Sequence, residues 1–98
     1  MSYSLLVRPE AQADLVETRK WYEEQATGLG RQFVETVDDT LVSITKNPLA
    51  YPTVRKVVRR ALTRRFPYGV LFLVEADTVI VLAVLHQARD PELWSRRA

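Results

Sequence analysis

An α+β domain is the fold this chain predicts, and three observations carry the prediction. Apolar residues recur every three or four positions from Ala11 to Ile44, broken once at "TGLG" (Thr27 to Gly30), a pattern of two successive amphipathic helices. Two nearly unbroken apolar runs, Val70 to Glu75 and Thr78 to His86, flank the dipeptide Ala76-Asp77, as the arms of a hairpin do. A length of 98 residues leaves room for one core, burying roughly two thirds of the unfolded surface. The whole chain, 1–98, therefore predicts a single domain with a helical hairpin packed on one side of an antiparallel sheet.

Each element has its own local reason. "YSLLV" (Tyr3 to Val7) is short, apolar and β-branched at its end, and predicts an N-terminal strand. Arg8-Pro9-Glu10 starts a helix: proline at the first helical position has no N–H to lose, and Glu10 and Asp14 suit the positive end of the dipole. Ala11, Leu15, Thr18, Tyr22 and Ala26 form its core-facing stripe, with Trp21 on the border. The acids of that helix, Glu10, Asp14, Glu17, Glu23 and Glu24, fall on a polar side that reads as solvated. A second helix runs from about Arg31 to Lys46 with the stripe Phe33, Val37, Leu41 and Ile44, and Asn47-Pro48 stops it.

"NPLAYP" (Asn47 to Pro52) reads as a loop, and "VRKVVRRALTRRF" (Val54 to Phe66) as a heavily basic strand. Strand alternation along it would send Arg55, Arg59 and Arg65 to one face and Lys56, Arg60 and Arg64 to the other. "PYG" ends it, the apolar hairpin follows as a three-stranded antiparallel sheet with the basic strand, and "PELWSRR" (Pro91 to Arg97) predicts a short C-terminal helix.

Composition narrows the function classes. Without cysteine there is no disulfide, thiolate metal site or thiol nucleophile, which suits a reducing cytoplasm. The opening residues lack the basic start and apolar core of a secretory signal, and the longest apolar run, Val79 to Leu85, is far short of the roughly 18 residues of a membrane span. A soluble cytoplasmic protein with no membrane partner is the expectation. The net charge of +2 hides a division: five basic and eight acidic side chains lie in residues 1–53, nine basic and four acidic in residues 54–98, or −3 against +5. The second half is built to meet an anionic partner.

Arg55, Lys56, Arg59, Arg60, Arg64 and Arg65 crowd into one segment, and arginine forks match carboxylate and phosphate geometry. His86, the sole histidine, ends an apolar strand; a structural or positioning role outweighs a catalytic one, since a general base needs a nucleophile in reach. No HxxxH or HxxE spacing offers a metal site, and the three glycines, at 28, 30 and 69, build no phosphate loop. Arg89, Trp94, Arg96 and Arg97 supply the residue types that dominate gripping surfaces.

"RRFPYGVLFLVEADTVIVLAVLHQARDPELW" (Arg64 to Trp94), after an opening containing "RPEAQADLVETRKWYEE", resembles the RelE/ParE superfamily of bacterial type II toxins over almost the whole chain, and its ParE branch in particular. The resemblance implies a RelE/ParE-like fold, no cofactor and a cytoplasmic toxin. RelE-like members cleave mRNA on the ribosome with basic residues spread on the sheet and a tyrosine near the C-terminus. Residue by residue, Arg60, Arg64 and Arg89 fall where that set has basic groups. Leu62 stands where another lysine would be, and Gly69 replaces the arginine that would hold the scissile phosphate. Trp94, or Ser95 with a different gap, stands near the tyrosine position, and an indole has no titratable group. ParE-like members instead inhibit DNA gyrase by binding it. They are neutralised in hetero-oligomers by a cognate ParD-like antitoxin, which also mediates any contact with operator DNA. On this resemblance His86, Arg89, Trp94, Arg64 and Arg65 are assigned to the target, and Trp21, Tyr22, Arg55, Arg59 and Arg60 to the antitoxin. The alternative is a RelE-like mRNA endonuclease.

Overall fold

The computed structural model describes residues 2–89, so Trp94, Arg96, Arg97 and the expected C-terminal helix lie outside the described residues. Strand β1 (Ser4–Val7) leads into helix α1 (Pro9–Gln25), then helix α2 (Leu29–Lys46) and a single 3₁₀ turn (Pro48–Ala50). Strands β2 (Thr53–Arg55), β3 (Val58–Leu62), β4 (Tyr68–Glu75) and β5 (Thr78–His86) complete the order. They form one five-stranded sheet in the order β1-β5-β4-β3-β2, parallel between β1 and β5 and antiparallel elsewhere. The α+β architecture is the one the sequence predicts, with one strand more than expected.

The extra strand comes from the basic segment, which is not one strand. It turns back at Lys56 and Val57 to make the β2–β3 hairpin, and it leaves the sheet after Leu62. Lys56 and Arg65 both take positive φ (52° and 67°), a conformation that a run of ordinary L-residues does not announce. The expected two-faced alternation of its cations is therefore lost: Arg64 and Arg65 sit in the β3–β4 loop.

The hairpin of helices packs closely. A Cβ on Gly30 would come within 2.5 Å of the Arg19 carbonyl of α1, so only glycine allows this approach. Glu23 accepts the N–H groups of Gly28 (2.9 Å) and Gly30 (3.1 Å), satisfying donors at the start of α2 from the end of α1. Asp14 reaches the sheet, where its Oδ2 accepts the Val84 N–H at 3.0 Å. β1 stops pairing with β5 at Val7 and Val81, and Asp14 takes over the exposed backbone edge beyond it. These two acids are structural, which corrects the reading of the whole acidic side of α1 as solvated.

Ala11, Phe33, Val37 and Ile44 of the helices are fully buried against Val70, Phe72, Val79, Val81 and Val84 of the sheet. A second apolar cluster, including Leu71, Leu82, Ala83 and Leu85, lies on the opposite face. Leu71 pairs with Ala83 and Phe72 with Val81, so Leu82 is an inserted residue, a β-bulge. Before the bulge, odd-numbered residues of β5 face the helices; after it, Val84 and then His86 do. The bulge thus decides which side of the sheet receives the only histidine.

Candidate functional site

Two clefts meet at the end of β5. On the helix side, aromatic rings form a chain from α1 to the strand end. Trp21 meets Tyr22 edge-on at 5.0 Å, Tyr22 meets Tyr68 at 6.0 Å, and Tyr68 meets His86 at 5.3 Å. Phe33 and Phe66 anchor the chain from below, at 5.4 Å and 4.9 Å from Tyr22. Trp21 remains 53% exposed at the outer end, and Asp14, Glu17 and Arg89 complete the lining. Burial, helped by the neighbouring Tyr68 phenol, raises the Tyr22 hydroxyl above its ordinary value of 10.0. At neutral pH it is a donor and an acceptor, not a base.

His86 organises the turn after β5. Its carbonyl accepts the Arg89 N–H and its Nδ1 accepts the Ala88 N–H, both at 3.0 Å, while Gln87 N–H bonds the Pro67 carbonyl at 2.9 Å. With Nδ1 accepting, a neutral ring carries its proton on Nε2, as an outward donor. The imidazole shapes the turn that presents Arg89 at the mouth of both clefts.

The second cleft lies on the opposite face of the sheet, with Arg55, Arg60 and Arg89 around an apolar floor of Leu71 and Leu85. Its centre is Gly69. A Cβ there would meet Arg60 Cδ at 3.0 Å and Cγ at 3.1 Å, so the Arg60 stem lies across the bare backbone of β4. The space that a side chain at position 69 would enter is already occupied.

The sequence-assigned groups are therefore regrouped in space. His86 and Arg89 join Trp21 and Tyr22 in one cleft, and Arg55 and Arg60 in the other. Arg59 is directed elsewhere: its Nη1 donates to the carbonyls of Tyr51 and Leu49, holding the 3₁₀ turn against β3. Arg64 and Arg65 line a third groove with α2. Trp94 lies outside the described residues. Sequence reasoning missed Tyr68 as the link between α1 and His86; its place in "FPYGV" at a strand start was the available signal. Among the described residues no cluster of three His, Asp or Glu is arranged for a metal, and no helix is long and apolar enough to cross a membrane.

This architecture has solved relatives. The chromosomal ParDE toxin–antitoxin system from P. aeruginosa superposes with a TM-score of 0.75 at 19% identity, covering 87% of this chain and 96% of that one. The RelBE2 toxin–antitoxin complex from Mycobacterium tuberculosis gives 0.60 at 20% identity, over 88% of this chain and 99% of that one. A double arginine-to-alanine variant of the E. coli toxin RelE in the free state gives 0.61 at 20% identity, over 97% and 93%. No curated protein matches by sequence. At such identities the superpositions speak for the fold, and the sequence match speaks for the family: the model of the ParE toxin of the type II parDE toxin–antitoxin system spans residues 5–91, and the chain belongs to that family.

Proposed function

We propose that this type II toxin acts by gripping DNA gyrase in the cytoplasm and stalling replication, with no bond made or broken by the toxin itself. A ParD-like antitoxin neutralises it in a hetero-oligomeric complex, reaches operator DNA on the toxin's behalf, and lets the pair stabilise a plasmid through growth arrest of cells that lose it. The observation that carries the binding reading is Gly69 with Arg60 folded over it. Phosphodiester cleavage needs charge stabilisation and a proton acceptor held in place at the reacting group. Here the position aligned with a phosphate-holding arginine has no side chain, and Tyr22, linked to His86 through Tyr68, keeps its proton at neutral pH.

The two clefts suit clasping. Arg60 and Arg89 on the sheet face offer forks to an anionic surface, and the Trp21–Tyr22 tip offers an aromatic anchor. Because His86 and Arg89 line both clefts, an antitoxin seated over Trp21 and Tyr22 covers part of the target surface as well. Neutralisation by occlusion is the consequence.

Expression of the chain alone tests this reading. SOS induction and filamentation, with inhibition of purified gyrase, are expected. A prompt translation block, with ribosome-dependent mRNA cleavage that Arg89→Ala abolishes, establishes the RelE-like alternative instead.

A further inference from the structure

Of the three clefts, the helix-side one alone carries more acid than base in its lining. The sheet-side lining brings Arg55, Arg60 and Arg89 together with no carboxylate, and the groove against α2 sets Glu35 and Asp39 against Arg64 and Arg65. The helix-side lining holds Asp14 and Glu17 against Arg89. Helical spacing explains the pair. Asp14, Glu17 and Trp21 follow one another at three and four residues, so one face of α1 carries both acids and the indole. Asp14 is held toward the sheet by the Val84 N–H at 3.0 Å. Glu17 is exposed and makes no hydrogen bond or ion pair among the described residues, with Arg89 or any other group.

Beside the acids, the rings of Trp21, Tyr22, Tyr68 and His86 line the cleft, with Trp21 standing at 80° to Tyr22. These walls sort the possible occupants. An apolar side chain would cover the rings but strip water from two carboxylates and return nothing to them. An anion would meet both acids. A lysine or arginine side chain lays its apolar stem on the rings and its charge beside Glu17 and Asp14, and the rings themselves attract that charge. Arg89 stands at the mouth of both clefts, so a partner that reaches one reaches the other.

We propose that the helix-side cleft is a site for one basic side chain, lysine or arginine, presented by the toxin's target. The inference rests on the target-gripping reading above and deepens it. The matching surface on the target then carries a cation for this cleft beside an anion for Arg55, Arg60 and Arg89.

The cleft is tested first with a probe, N-acetyl-argininamide, titrated into the full chain and followed by NMR. Saturable shifts are expected at the Trp21 indole N–H and the Tyr68 ring, with N-acetyl-leucinamide binding about tenfold more weakly. Glu17→Gln removes a charge at an exposed, unpartnered position and is expected to weaken argininamide about fivefold, whereas Glu17→Asp keeps most of the binding. Argininamide shifts that never saturate, or that Glu17→Gln leaves unchanged, overturn the cation site. So do the same shifts appearing without probe as the chain is concentrated, since the occupant is then a second copy. The source of the side chain is tested by titrating purified gyrase. Glu17→Lys is expected to raise Kd about tenfold, with the urea unfolding midpoint unchanged. Equal gyrase affinity for parent and Glu17→Lys overturns the placement on the target while the gyrase reading stands. A loss confined to the antitoxin complex overturns it as well. A parent chain that fills with argininamide yet does not bind gyrase sinks the gyrase reading, and with it the source named here.

Discussion

The two clefts at the end of β5 share His86 and Arg89 yet are held in opposite ways. The helix-side cleft is a consequence of the core: its rings continue inward without interruption through Tyr22 and Tyr68 to Phe33 and Phe66. The sheet-side cleft is held by an absence of side chain, a glycine over which one arginine lies. The first cannot be altered without touching stability; the second can be altered with stability nearly intact. That difference lets fold and grip be separated by substitution.

The largest effect is expected from Phe33→Ala. Phe33 is fully buried and meets Tyr22, Phe66 and Tyr68 at 5.1–5.4 Å, so its removal leaves a cavity beneath the whole aromatic chain. A loss of about 3–5 kcal/mol in urea unfolding is expected. A cost under about 1 kcal/mol is the outcome that breaks the claim that the helix-side cleft is an outgrowth of the core.

Next comes Asp14→Ala, which strips the Val84 N–H of its carboxylate acceptor on the edge of β5. The expected cost is about 1–3 kcal/mol. Faster amide exchange at Val84 than at Val81, which still lies in the β1–β5 ladder opposite Val7, is the local signature. Equal exchange at both positions counts against Asp14 as the edge cover.

Gly69→Ala sharpens the contrast from the other side. The new Cβ presses on the flexible part of Arg60 and not on backbone, so stability is expected to change by less than about 1 kcal/mol. On the gyrase reading proposed above, the concentration that half-inhibits supercoiling is nevertheless expected to rise about tenfold, because the displaced guanidinium would miss an anionic partner. Unchanged inhibition removes Arg60 from the gripping surface.

How much of this could be read beforehand depends on the range of each signal. The stripe Phe33–Val37–Ile44 and the two-residue turn at Ala76-Asp77 were legible because periodicity and turn length are local, and both appear as expected. The fold class came from them. The reversal at Lys56 was hidden, since a positive φ at a lysine has no compositional mark. The roles of Asp14 and Glu23 were equally hidden, because each carboxylate caps a donor that only tertiary approach brings near. Most consequential was the Leu82 bulge: in a run where every residue is apolar, an inserted one leaves no trace in the pattern. Yet it turns His86 toward Tyr68 and so assembles the site. The residues of the site were legible as candidates; their grouping was not.

The smallest effect isolates a single hydroxyl. Burial and the adjacent Tyr68 raise Tyr22 in the folded state above its unfolded value of 10.0. Below that value both states hold the proton and Tyr22 contributes no pH dependence. As pH climbs past it, the unfolded chain releases the proton first, so unfolding gains and stability falls until the folded value is passed. Tyr22→Phe cannot release a proton, and so lacks this share of the alkaline decline. The difference in urea midpoint between parent and variant should then stay constant from pH 7 to about pH 9 and drift in the variant's favour at higher pH. A gap that is flat through about pH 11 means the hydroxyl is as well solvated folded as unfolded. In that case the helix-side cleft is wetter than its ring packing implies, and the line drawn between a core-built cleft and a glycine-built one no longer holds.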